Sequence, residues 1–390
     1  MSERPLSPVA SEEWRRAIAA VERPETVLPL AADPLFWPDF LARLAGQGLF
    51  PLAYAAWRAA GLLPSLPPTA RQEAEARMNR YRAASAAAWG EIERTLDLLR
   101  GGGFRPVLLK GADLALRYYP EVHLRPLSDL DLLFENPGEA EGAFGLLEGA
   151  GYLREEEGIP LDFWALSQHL PVLHSPGAGF PVEVHGALLF SPRDRRWTRG
   201  AASLLRDTRD FTGQGRALRG LAPEALAVHL CAHTWLQHAN EPPKAVVLFD
   251  LRAVLEREGA GFSWDRLAER ATEAGVAGAV ARGFGLLRAH LSVPVPAEVL
   301  GSLAAEGGGE RLLRLPPEAA GTENLLRRLR QGGLAPGFLS AWRILVPPAA
   351  YMRERYPARK KWPLAALYPA RWAEQAAKLG RWALALWRGR

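Results

Sequence analysis

Residues 106–135 read PVLLKGADLALRYYPEVHLRPLSDLDLLFE, and this stretch decides the fold. An apolar run, Val107-Leu108-Leu109, stops at Lys110-Gly111; Ala112 to Tyr119 then carries helical spacing, and past Arg125 a second apolar run extends from Leu130 to Phe134. The order is strand, turn, helix, loop, strand. Asp129 and Asp131 stand two apart at the head of the second strand, where alternation sends both carboxylates to one face. Mg2+ takes hard oxygen ligands, commonly one or two carboxylates plus substrate phosphates, so this pair beside a glycine turn points to phosphate chemistry. An isolated Asp-x-Asp at a loop–strand junction also serves as a turn former with a surface charge.

Working outward, Pro181-Val182-Glu183-Val184-His185 has strand alternation that puts Glu183 and His185 on one face. The segment His169 to Leu173 is expected to pair with it through a turn at Ser175-Pro176-Gly177, bringing His174 and His185 near the carboxylates. A histidine beside a carboxylate is more often a hydrogen-bonded structural residue than a catalytic one. Pro137 to Ala150 reads as a helix returning to the sheet.

Lys110-Gly111, the helix with Leu114 and Tyr118, Arg125 and Asp129-x-Asp131-Leu132-Leu133 resemble the core of the uncharacterised bacterial nucleotidyltransferases in the DNA polymerase β-like superfamily. The superfamily's usual turn is Gly-Ser; here it is Lys-Gly, with a longer interval to Asp129. The resemblance covers residues 95–250 and implies a third carboxylate on a neighbouring strand, for which Glu183 is the candidate. It implies an α+β (mixed α/β) fold with a small mixed-sheet core (101–220); periodicity and charge place helical regions at 1–100 and 221–345 and a basic tail at 346–390. It also implies a metal-dependent enzyme moving a nucleoside monophosphate from a triphosphate such as ATP to a peptide, sugar or small-molecule acceptor. Asp129, Asp131 and Glu183 would be catalytic and hold Mg2+ or Mn2+; Lys110, Gly111, Arg125, Ser128 and His185 would contact the nucleotide. The alternative is a nucleotide-binding scaffold that has lost catalysis, for which the Lys-Gly turn argues.

The flanks read as helical. Ser11-Glu12-Glu13-Trp14 has the composition of a helix start, Phe36 to Leu49 carries apolar residues at three and four spacing, and Ala70 to Leu99 forms a long helix. Gly101-Gly102-Gly103 stops that helix and lacks the pattern of a phosphate loop. From Pro223 the pattern is helical again through residue 305. His229 and His233 lie one turn apart, but no Glu follows His229 as a metalloprotease helix requires. Asp250 stands in an apolar face and needs a partner, Arg252 or a histidine of the preceding helix.

With 48% hydrophobic and 23% charged residues the 390-residue chain is globular and too long for one ordinary core. A single cysteine, Cys231, excludes an internal disulfide and fits either a reducing cytoplasm or simple avoidance of cysteine. The N-terminus lacks the pattern of a secretory signal, and no run of about 18 apolar residues suggests a membrane span. Residues 353–390 carry ten Lys or Arg against two Glu, a local +8 in a chain of net +5, which leaves the body at −3. On a helical wheel Arg371, Lys378, Arg381 and Arg388 oppose Trp372, Leu379, Leu386 and Trp387. That composition suits either an anionic membrane surface contacted through residues 357–390 or a helix docked on its own protein; nucleic acid fits less well against an acidic body.

Overall fold

The computed structural model describes residues 8–32, 36–155, 168–188, 207–237 and 243–307, with parts of 346–376. Trp164, Arg193, Arg195, Arg196, His238, the glycines at 332–333 and most of the 357–390 tail lie outside the described residues. Within the tail's described part, Arg371 is buried and Trp372 is exposed. Among the described residues no helix is long and apolar enough to cross a membrane.

The opening stretch folds in the expected order: β1 (Val107–Leu108), α5 (Lys110–Arg117) and β2 (Leu130–Leu133). Before it come α1 (Pro8–Glu22), α2 (Phe36–Gly46), α3 (Phe50–Ala59) and α4 (Pro68–Gly101). The first helix begins at Pro8, ahead of the expected Ser11, because proline is preorganised for a first helical turn. Pro67 and Pro68 open α4, and Gly103 (φ +83°) closes it in the left-handed conformation that glycine adopts without steric cost. After β2, Asn136 caps α6 (Pro137–Gly149) by accepting a hydrogen bond from the Glu139 amide at 3.0 Å.

The remaining strands are β3 (Leu153–Arg154), β4 (Leu173–His174), β5 (Pro181–His185), β6 (Thr208–Gly213) and β7 (Arg216–Leu221). They form one mixed seven-stranded sheet in the order β3-β4-β5-β2-β1-β7-β6. The expected pairing of the His169 segment with β5 is present: Leu173 lies opposite Val182, and the Leu170 amide donates to the Val184 carbonyl at 2.9 Å. The β6–β7 hairpin was not anticipated. Its turn, Gln214-Gly215, has positive φ at both residues (49° and 74°), the geometry that matches strand twist in two-residue hairpins. The hairpin is fastened to α5 by the buried Asp113–Arg117 ion pair, since Arg117 also donates to the Leu221 carbonyl at 2.8 Å.

The C-terminal helices are α7 (Pro223–Ala232), continued by a π-helical turn at His233–Gln237, then α8 (Val246–Glu258), α9 (Trp264–Glu273), α10 (Ala277–Leu291) and α11 (Ala297–Glu306). Every residue of α7 is buried, as expected of a helix apolar on all sides. Its Glu224 accepts a hydrogen bond from the Ser263 amide at 2.8 Å. Gly283 of α10 lets α7 approach, because a Cβ there would lie 2.5 Å from Trp235 and 2.6 Å from Cys231 Sγ.

Two cores flank the sheet. Leu130, Leu132, Val182 and Val184 face Trp89, Ile92 and Leu99 of α4 and Phe144 and Leu147 of α6. On the other side Val107, Leu109, Leu133 and Leu221 join a larger core that unites α1–α3 with α7–α11. Trp14 Nε1 donates to the Pro243 carbonyl at 3.2 Å, and Gly48 (φ +72°) turns the chain where a Cβ would meet Val246 at 3.1 Å. Helices α1–α3 and α7–α11 thus pack on one face of the sheet, and the acidic residues of β2 and β5 lie on that face.

Candidate metal centre

Strand register assembles the site. β2 and β5 run parallel, with Asp131 opposite Glu183 and Leu133 opposite His185. Residues opposite one another in a parallel pair share a face, so Asp131, Glu183 and His185 project together. One ligand atom from each lies within 4.8 Å of the others, a spacing able to hold a metal ion. Among the described residues this is the His/Cys/Asp/Glu cluster so arranged. Asp129, one residue before β2, is half-buried at the open end of the strand and accepts a hydrogen bond from Ser128 Oγ at 3.1 Å.

Lys110 closes the group. The Leu109 amide donates to the Asp131 carbonyl at 3.2 Å, and the chain must turn at once into α5. Lys110 makes that turn with φ +47°, a left-handed conformation that non-glycine residues rarely adopt. Its ammonium reaches Asp131 Oδ1 at 2.7 Å. The same oxygen lies 2.9 Å from His185 Nε2, which is 3.3 Å from Glu183 Oε2.

Electrostatics follow from burial opposed by these contacts. Burial would lower the Lys110 ammonium, but Asp131, helped by Glu183 and Asp129, holds its pKa above the usual lysine value. Burial would raise Asp131, yet Lys110 and His185 hold it well below the usual carboxylate range. Burial and the Asp131 charge would raise Glu183, yet His185, together with His169 and Lys110, holds it below the usual carboxylate value. Asp129 is raised by burial and by the Asp131 charge. Burial would lower His185, but Asp131 and Glu183 hold it above the usual imidazole value; even with His185 protonated beside the Lys110 ammonium, three carboxylates leave an uncompensated negative charge, and their hard oxygens fit a divalent cation.

Other expectations are redistributed. Arg125, expected at phosphate, donates from Nε and Nη2 to Asp250 at 2.8 and 3.0 Å and from Nη1 to the Pro126 carbonyl at 2.8 Å. Asp250 also accepts from Tyr119 Oη at 2.7 Å, while Arg252 pairs with Glu22, so the partner expected for Asp250 is corrected. Sequence reasoning lacked the signal because Arg125 and Asp250 are 125 positions apart. A Cβ at Gly111 would come within 2.9 Å of Leu127, so the glycine lets α5 pack on the loop leading to Asp129.

The histidines also differ from expectation. His174 Nδ1 bonds to the Gly179 carbonyl of its own hairpin at 3.1 Å, and it is His169 whose ring lies 5.4 Å from that of His185. His229 of α7 is buried 5.9 Å from the His233 ring, and burial, seconded by Lys110, pushes it down to about 3. Among the described residues, His185 Nδ1 and both nitrogens of His229 have no hydrogen-bond partner.

Fold and site together define a mixed α/β protein with an Asp–Glu–His candidate metal centre on the central strands of a mixed sheet. Residues 33–292, two-thirds of the chain, match the family described as uncharacterised nucleotidyltransferase. The chain therefore belongs to this uncharacterised bacterial nucleotidyltransferase family, related to the polymerase β-like superfamily. No curated protein and no solved structure matches it.

Proposed function

We propose that the protein transfers a nucleoside monophosphate from a nucleoside triphosphate to a hydroxyl, or similar group, on a peptide, sugar or small molecule. The observation that carries this reading is the register of Asp131 with Glu183 on adjacent parallel strands, with Asp129 at the same open end. Like charges so close repel one another, and a fold gains by holding them together when a cation joins them. Asp129, Asp131 and Glu183 would hold Mg2+ or Mn2+. The ion would neutralise the triphosphate and the departing pyrophosphate.

The chain's own residues do the rest. Glu183, one-fifth exposed where Asp131 is closed off, accepts the acceptor's hydroxyl proton. The freed oxygen bonds to the α-phosphorus in line as the bond to pyrophosphate breaks. Lys110 balances charge on the transferring group, Ser128 orients Asp129, and Arg125 braces the loop between them. Calorimetry with each of the four ribonucleoside triphosphates and Mg2+, on wild type and on Asp129→Ala with Asp131→Ala, tests this. One triphosphate should bind only with metal and be lost in the variant; binding unchanged in the variant refutes the reading.

One observation favours a second reading, nucleotide binding without transfer: the Lys110 ammonium already covers Asp131 Oδ1. Metal-dependent triphosphate binding without release of pyrophosphate, across candidate acceptors, would support it.

A further inference from the structure

We infer that His185 positions Asp131 and Glu183 and is not itself a metal ligand. This rests on the metal-centre reading above. The spacing of Asp131, Glu183 and His185 alone admits His185 as a ligand; three features of the geometry assign it the other role.

The first is depth. Register places His185 opposite Leu133, two residues further into the sheet than Asp131 and Glu183, and Leu133 belongs to the helical core. The more exposed carboxylates lie the other way: Asp129 is half-buried and Glu183 one-fifth exposed, whereas His185 and Asp131 are both 2% exposed, so it is register that sets His185 behind Asp131. A cation arriving with a triphosphate meets Asp129 and Glu183, with His185 behind Asp131.

The second is the placement of the proton. His185 Nε2 lies 2.9 Å from Asp131 Oδ1 and 3.3 Å from Glu183 Oε2. A bare nitrogen lone pair aimed at two carboxylates would be repelled, whereas an Nε2–H donates to both. Ligation through Nε2 would shift the hydrogen to Nδ1, which is buried without an acceptor among the described residues. Metal-bound imidazoles almost always donate their other N–H to a carboxylate, carbonyl or water.

The third is the division of Asp131. Lys110 Nζ and His185 Nε2 both meet Oδ1, at 2.7 and 2.9 Å. Oδ1 is thereby taken up by fixed donors, and Oδ2 is left to the cation. His185 sets the separation of Asp131 from Glu183, as a residue outside the ligand sphere orients those within it.

The test uses Mn2+ alone with the full-length protein and no nucleotide. Binding is followed by calorimetry, and nitrogen coupling to the bound ion by pulsed electron paramagnetic resonance. Wild type should bind Mn2+ with no directly bound nitrogen. His185→Gln, whose side-chain amide keeps an N–H donor at similar reach, should bind within about threefold of wild type, and His185→Ala about 10–100-fold more weakly. Nitrogen coordination in wild type overturns the inference and leaves the metal centre standing, and this readout requires no variant to fold. Loss of binding in His185→Gln equal to that in His185→Ala also overturns it. Wild type that binds no Mn2+ removes the metal centre itself, and the inference with it.

Discussion

Asp250→Ala removes the acceptor of three donors at once. Arg125 gives it a two-pronged contact at 2.8 and 3.0 Å, Tyr119 adds a hydroxyl at 2.7 Å, and the two charged side chains are 18% and 1% exposed. Stranding a buried charge by removing one partner costs about 3–5 kcal/mol, whereas replacing both partners by apolar residues is often neutral. The single variant should therefore lose at least about 3 kcal/mol of unfolding free energy. Arg125→Met with Asp250→Leu should lose less than that, about 1–3 kcal/mol, for the Tyr119 hydroxyl left without an acceptor. Denaturant unfolding followed by tryptophan fluorescence gives both values, and a double-mutant cycle gives the coupling. The network joins the loop before Asp129 to α8, so Mn2+ affinity should fall in Asp250→Ala and recover in the double variant. A loss below about 1 kcal/mol in Asp250→Ala, or single effects that simply add, would refute the bracing role. Loss of triphosphate binding in the stable double variant would instead put Arg125 at phosphate.

Lys110→Gly relieves a left-handed residue, worth about 1 kcal/mol, but strands Asp131. A net loss of about 2 kcal/mol without metal, with tighter Mg2+ binding and slower transfer, is expected from thermal melts with and without Mg2+. Gly283→Ala puts a methyl against Trp235 and Cys231 and should cost about 1–3 kcal/mol; an unchanged melting temperature would contradict the close approach of α7 and α10. His229 is held neutral, its pKa lowered by burial to about 3 from an ordinary 6.5. Below pH 6.5 the unfolded chain takes up a proton that the folded chain refuses, so stability is lost as pH falls toward 3, by about 1.4 kcal/mol per unit. His229→Leu should flatten that part of the stability–pH curve without lowering stability at neutral pH; an equally steep slope would show that His229 is not the group responsible.

Local patterning was enough for the central strand–helix–strand unit, for α4 with its glycine stop, for α6 and for the outline of the C-terminal helices, because periodicity, caps and breakers act over a few residues. The same patterning put Asp129 and Asp131 at the head of β2, and Glu183 beside His185 on one face of β5. Other features were decided only in three dimensions. The β6–β7 hairpin alternates weakly and is held by its positive-φ turn and by Arg117, a contact across 104 positions. Arg125 meets Asp250 because two buried charges far apart in sequence must pair, a demand visible for Asp250 in its apolar setting but silent about the partner. Lys110 rests on Asp131 because a one-residue turn from strand to helix forces its backbone into the left-handed region and aims its side chain back along the sheet. Which residue types would build the site was thus set by the sequence. Which of their atoms meet was set by the parallel register of β2 with β5, since register depends on the packing of whole faces and not on any stretch of chain read alone.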